Sequence, residues 1–193
     1  MNHSITAERF GVRLRPVERT DAAFIYELRR KPGLTDYIGE FPADFTVHQA
    51  WLERYFDQEN DYYFCIELLS GTVVGTIAIY DIVNNSGNWG RWIISPKIPA
   101  APASVWLMFH IAFDILGLSS VYSNTVADNG SVLSFHDSCG VPRTGVERGG
   151  LTIKGVEHDL IIHTAHKELW PAIQKRLEKS AVFAERMFQE TLL

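Results

Sequence analysis

The stretch that most limits what this chain can fold into is residues 89–141, WGRWIISPKIPAAPASVWLMFHIAFDILGLSSVYSNTVADNGSVLSFHDSCGV. It reads as strand, proline-rich loop, apolar helix, strand and short helix, one βαβα unit. Pro99 and Pro102 cannot both lie inside a helix, but one can occupy its first turn. A helix is therefore expected from about Pro102 to Gly117, burying Val105, Met108, Phe109, Ala112, Phe113 and Leu116. Val121–Val126 follows as a short apolar strand. Asn129 is placed to cap the next helix and Gly140 to end it. Two parallel strands joined through a helix put the proline loop at the carboxyl end of the sheet, where α/β layers bind ligands.

The flanking segments fit the same sheet. GVRLRP alternates as a half-buried strand with Val12 and Leu14 on one face. Thr20 and Asp21 offer cap oxygens to a helix carrying Ala23, Phe24 and Leu28, and Arg29, Arg30 and Lys31 close it where its dipole favours cations. Residues 34–45 show no clean period and are expected as a loop with a helical turn. Thr46 and Gln49 have capping-box spacing for a second helix with Trp51, Leu52, Tyr55 and Phe56 inward. Three antiparallel strands are expected over 62–68, 72–82 and 89–95. Gly75, inside the second, marks a bulge or a close backbone approach. Trp89 and Trp92, three apart on one strand, are expected on opposite faces. Residues 143–163 read as a hairpin turning at Lys154-Gly155. The tail from 169 to 193 is a helical extension of the domain formed by 1–168. Its stripe of Trp170, Ile173, Leu177, Val182, Met187 and Phe188 fits either packing on that domain or a homodimer contact.

One domain is natural for 193 residues. A net charge of −5 gives no basic field for nucleic acid, so no nucleic-acid partner is expected. No run of roughly 18 apolar residues suggests a membrane span, and the N-terminus lacks an apolar leader, so a cytoplasmic location is expected. The two cysteines, Cys65 and Cys139, are too few for a disulfide framework or a cysteine zinc site and are expected as buried thiols.

The element order β-α-α-β-β-β-α-β-α-β-β resembles the GNAT superfamily of N-acetyltransferases. DNGSVLSFHDSCGV is similar to that family's N-x6-Y-x3-GF segment, with Asn129, His136, Gly140 and Val141 at the matching spacings. HIAFDILGLSSVY is similar to its helix-to-strand passage. The ending GVERGGLTIKGVEHDLIIHTAHKELW looks like the branch acting on ribosomal-protein N-termini and amino sugars. The resemblance implies an α+β layered fold, a mixed, mostly antiparallel twisted sheet flanked by helices. It also implies an enzyme using acetyl-CoA without a metal, on a small amine acceptor. A nucleotide-activated amino sugar is the first candidate, and a protein N-terminus the second. One departure is large: the family's glycine-rich pyrophosphate loop is replaced by PKIPAAPAS, which holds no glycine. That leaves Lys97, Ser104 and the backbone at Ala100, Ala101 and Ala103, with Asn129, to hold coenzyme A. A non-catalytic scaffold with a decayed loop is the competing reading.

Acyl transfer from a thioester to an amine needs a neutral amine, a donor to the oxyanion and a proton for the leaving thiolate. The resemblance places His136 where the family's tyrosine acid stands, and a histidine near its reference pKa exchanges protons around neutrality. The oxyanion donor maps to the backbone of Trp92, Ile93 and Ile94. For the base, Asp81, Glu40, His158 and a water relay all remain open, and Asp81 equally suits a turn cap. RRKPGLTDYIGEF and FTVHQAWLERYF resemble the acceptor region of enzymes acting on nucleotide-linked amino sugars. Arg30 or Lys31 would then meet a diphosphate, with Tyr37, His48, Trp51 and Trp89 shaping the acceptor side.

Overall fold

The structure, a computed structural model, describes residues 2–191, with side chains through Met187. One eight-stranded sheet, in the order β1-β2-β3-β4-β5-β6-β8-β7, runs through the molecule. Its strands are β1 Ala7–Arg9, β2 Val12–Pro16, β3 Tyr62–Leu68, β4 Val73–Val83, β5 Ser86–Ile94, β6 Ser120–Val126, β7 Arg143–Ile153 and β8 Val156–His166. The helices are α1 Ala22–Arg30, α2 Phe45–Tyr55, α3 Ala101–His110, α4 Gly130–Cys139 and α5 Trp170–Thr191. All neighbours pair antiparallel except β5 and β6. This is the mixed, mostly antiparallel sheet flanked by helices that the sequence predicts. The extra strand, β1, is three residues long and too short to show a period. It folds back on β2 through Phe10 and Gly11, both at positive φ.

Alternation along the strands sorts two cores. Phe64, Ile66, Ile77 and Ile79 face α3 and α5, while Tyr63, Cys65 and Ala78 face α1 and α2. Residues 103–109 of α3 are buried around the whole circumference, because the sheet covers one side and α5 the other. A π-helical turn, Ile111–Ile115, continues α3 before Gly117 ends it at φ +69°. Trp170, Ile173, Leu177, Ala181 and Ala184 bury the inner side of α5 in its own domain. Val182 is half-buried, Met187 is exposed, and Phe188 lies outside the residues with described side chains.

Three local expectations are corrected. The cap of α2 is Asp44, whose carboxylate accepts from the Thr46 amide at 2.8 Å, rather than a Thr46–Gln49 box. Asp21 makes no cap bond to α1. It accepts two hydrogen bonds from Arg15, both 2.8 Å, and one from the Glu18 amide. Trp89 and Trp92 lie on one side of β5, for the reason given below. The expectation at Gly75 holds: a Cβ there would sit 2.4 Å from the Ile93 carbonyl oxygen, so only glycine lets β4 and β5 approach. Both cysteines are buried free thiols, and burial pushes the pKa of Cys139 up to about 11.

Candidate active site

The site is built where β5 and β6 part. Their parallel ladder pairs Ser86, Gly87 and Asn88 with Ser120, Val121 and Tyr122, then stops. Beyond it the edges of both strands face a gap. A bulge in β5 re-aims its side chains into that gap. Thr76 pairs with Ile93 and Ala78 with Gly90, so three steps on β5 oppose two on β4. Arg91 takes the extra position at φ +48°, and the Thr76 hydroxyl donates to its carbonyl at 2.8 Å. The inserted residue reverses the face parity, and the rings of Trp89 and Trp92 come to 5.8 Å.

The gap opens into a cavity of about 350 Å³. Trp89 to Trp92 from β5, Ser123 to Thr125 from β6, and Asn129, Val132 and His136 from α4 form its inner wall. Leu34, Tyr37 and Ile38 from the loop after α1 cover it, and Arg29 enters from the helix itself. Two wall atoms are buried and unpartnered, Asn88 Oδ1 and Ser123 Oγ, one on each parting strand. A buried polar atom without a partner costs stability, and a ligand that satisfies it recovers that loss. Among the described residues, no aspartate or glutamate lines this cavity.

His136 is 2% exposed, edge-on to Trp89 at 5.1 Å and stacked on His163 at 4.7 Å. Burial, reinforced by the neighbouring His163, lowers its pKa to about 3. At neutral pH it is therefore an uncharged imidazole, and the imidazolium form implied by its reference value is absent. Its remaining capacity is one N–H donor and one lone pair. His163 is itself fully buried, and its Nε2 lies 3.2 Å from Asp137, which also pairs with Arg143 at 2.6 Å. Arg91 reaches the cavity over Tyr80, Tyr63 and Trp51, at 4.3, 5.3 and 5.4 Å to the ring centres. Burial opposes its charge, but the two hydrogen bonds it donates to Asp61, 2.6 and 2.8 Å, leave its pKa above the ordinary value.

A splayed parallel pair, a bulge on one strand and a capped helix crossing the opening form a recognisable arrangement. Residues 12–141 match the family model described as an acetyltransferase (GNAT) domain. The chain belongs to the GNAT acetyltransferase family. Its fold is similar to a GCN5-related N-acetyltransferase from Brucella melitensis, with 21% identity, TM-score 0.79, and 92% and 85% of the two chains covered. It is also similar to a spermidine N-acetyltransferase from Vibrio cholerae solved with CoA and spermine. There the identity is 20%, the TM-score 0.77 and the coverage 84% and 99%. At these identities the likeness is one of fold. No curated protein sequence gives a significant match. The chain is thus an acyltransferase of the GNAT type.

The acyl donor of the GNAT family is acetyl-CoA. The fork presents the open edge of β5 and two unpartnered atoms. The proline loop, where the sequence expects the pyrophosphate, is less open than expected. Ala100, Ala103 and Ser104 are fully buried, and the Ser104 hydroxyl already donates to the Ala101 carbonyl while accepting from Trp92 Nε1 at 3.3 Å. Trp92 also packs on Phe135 at 5.1 Å, bridging β5 to α4. What stays reachable is Ala101 at the start of α3, exposed Lys97, and Lys179, which α5 brings to a groove with Pro99 and Pro102.

The remaining expected residues divide cleanly. His136, Trp89, Trp92, Asn129 and Tyr37 line the cavity; Asn129 Oδ1 also accepts the Val132 amide at 3.3 Å as a helix cap. Ile93 is buried in the strand beside them and Ile94 half-buried. Asp81 is exposed at φ +51° near the far end of β4 and is not brought to the cavity. His158 stands within 3.1 Å of Asp128, and Glu40 borders a neighbouring cavity, both outside the main one. Arg30 points away, donating to the Tyr26 hydroxyl and the Ala43 carbonyl. Its neighbour Arg29 takes the place by the cavity. His48 and Trp51 stack within the α1–α2 core and line that neighbouring cavity. Nothing in the local pattern singles out Arg29, Arg91, Asn88 or Ser123, because helix ends, a bulge and strand hydroxyls look ordinary in sequence.

Proposed function

We propose that this GNAT enzyme moves an acetyl group from acetyl-CoA to the primary amine of a small, hydroxyl-rich acceptor. A nucleotide-activated amino sugar is the first candidate. The supporting observation is the pair of buried, unpartnered oxygens at the fork, Asn88 Oδ1 and Ser123 Oγ, in a wall continued by Asn124 and Thr125. Asn88 Oδ1 can only accept, so it suits an amine N–H or a sugar hydroxyl. Trp89 gives the ring a flat apolar wall. A polyamine such as the spermine bound by the Vibrio cholerae enzyme would be held by carboxylates, and this wall has none among the described residues. Its charges are those of Arg29 and Arg91.

The donor supplies an activated acyl carbon. The amine nitrogen forms the new C–N bond, the C–S bond breaks, and the amine's proton ends on the departing sulfur or in solvent. Neutral His136 serves this step by donating its N–H to the developing thiolate. The Trp92–Ile94 backbone, at the open edge of β5, supplies donors to the oxyanion. With no carboxylate among the described wall residues, the amine loses its proton to water before attack.

Release of free thiol from acetyl-CoA, followed with UDP- and dTDP-amino sugars, spermidine and short peptides, tests the reading. Turnover with amino sugars and none with spermidine is expected. Turnover with spermidine alone would overturn the acceptor assignment, and turnover with peptides alone would move the enzyme to protein N-termini.

A further inference from the structure

Arg29 is a cation that the protein leaves unneutralised. It sits in the last turn of α1, half-buried, and lines the cavity at the β5–β6 fork and the two cavities beside it. No carboxylate among the described residues lies within ion-pair distance of it; its guanidinium instead rests 4.7 Å from the Phe41 ring centre. Its Nε is buried with no hydrogen-bond partner. The Tyr63 phenol beside it favours its charge, whereas burial and the nearby Arg91 oppose that charge and hold its pKa below the ordinary value. Arg91 differs because Asp61 neutralises it through two hydrogen bonds. Asp36 and Glu40, the acids in the adjoining walls, are exposed and make no ion pair with Arg29. A desolvated guanidinium with an unpartnered Nε and no carboxylate beside it fits planar or tetrahedral oxyanions better than any neutral group.

We infer that Arg29 is the anion anchor of the acceptor site, so that the amine acetylated here carries a carboxylate or phosphate group. This rests on the acetyl-transfer reading above and narrows it. An acceptor bound through its oxyanion at Arg29 presents its amine toward the fork, where Asn88 Oδ1 and His136 wait. A polycation is repelled from the same cavity by the same charge.

The test compares glucosamine, glucosamine 6-phosphate and 2-amino-2-deoxyglucuronic acid as acceptors for the full chain with acetyl-CoA. At least one anionic acceptor is expected to exceed glucosamine in kcat/KM by about 10- to 100-fold, the range of a hydrogen bond to a charged group. The two anionic arms separate phosphate from carboxylate. Arg29→Gln should collapse that ratio toward unity, and Arg29→Lys should keep part of it; circular dichroism and the thermal midpoint report whether each variant is folded. Equal kcat/KM for all three compounds, or an undiminished ratio in a folded Arg29→Gln, overturns the anchor while leaving acetyl transfer standing. If none of the three is acetylated, their effect on the thermal midpoint decides. A rise with the anionic compounds in wild type and none in Arg29→Gln supports the anchor and counts only against the acetyl-transfer reading. No rise with any compound overturns the anchor.

Discussion

Asp61→Ala lowers the free energy of unfolding by about 3–5 kcal/mol, the cost of leaving a buried charge without its partner. The partner is Arg91. Its side chain is 18% exposed and that of Asp61 8%, and two hydrogen bonds of 2.6 and 2.8 Å join them. Arg91 has no easy escape to water. Its backbone is fixed in the β5 bulge at φ +48°, and its guanidinium is walled by Tyr80, Tyr63 and Trp51. Losing Asp61 therefore strands a charge beside Arg29, at the place where the acceptor would enter. The double variant Asp61→Leu with Arg91→Met should recover most of the loss, because replacing a buried pair by apolar side chains is often near neutral. Urea unfolding at pH 7.5 of wild type, Asp61→Ala, Asp61→Leu, Arg91→Met and the double variant measures the cost and the coupling. A cost below about 1 kcal/mol for Asp61→Ala would place the pair among exposed bridges.

Stability falls as the pH drops below 6.5, and His136 is a principal cause. In the unfolded chain its imidazole takes a proton near pH 6.5, while in the folded protein burial beside Trp89 and His163 holds that uptake off until about pH 3. Between these values the unfolded state binds more protons, so the contribution is complete above pH 6.5 and drains away as pH falls toward 3. From pH 7.5 to 5.5 the loss from this one residue is about 1.4 kcal/mol. His163, His48 and His3 are also lowered, chiefly by burial, and act in the same direction. Unfolding of wild type and His136→Phe at the two pH values isolates the term, since the variant should lose less stability by about that amount. Equal losses in the two proteins would mean that His136 is already charged in the folded state. The same neutrality predicts that His136 adds no ionisation near pH 6.5 to the rate profile.

The fold was readable because its cues are local. Apolar alternation in GVRLRP, the prolines before α3, the Asn129 cap, the Gly140 stop and the Lys154-Gly155 turn each dictate backbone geometry over a few residues. The site was readable only where it coincides with such cues, as at His136 and Asn129. The bulge at Arg91 has no sequence mark, and one inserted residue put Trp89 and Trp92 on the same side against plain alternation. Arg29 and Arg30 look alike at a helix end, and only tertiary packing sends one to the cavity and the other to Tyr26. Asp61 and Arg91 are 30 residues apart, and no local pattern joins them. The glycine-free loop shows the same limit: of the residues expected to offer amides, the fold buries Ala100, Ala103 and Ser104, while Lys179 reaches the loop from the far end of the chain.

The central claim is that the fork between β5 and β6 receives an acyl-CoA despite the proline loop. Calorimetric titration of the full chain with acetyl-CoA tests it most directly, with free coenzyme A in parallel. Saturable binding at micromolar concentration is expected for both, weakened by Lys179→Ala as a phosphate-side contact. Flat titrations to about 1 mM, which place binding weaker than roughly 4 kcal/mol, would contradict it.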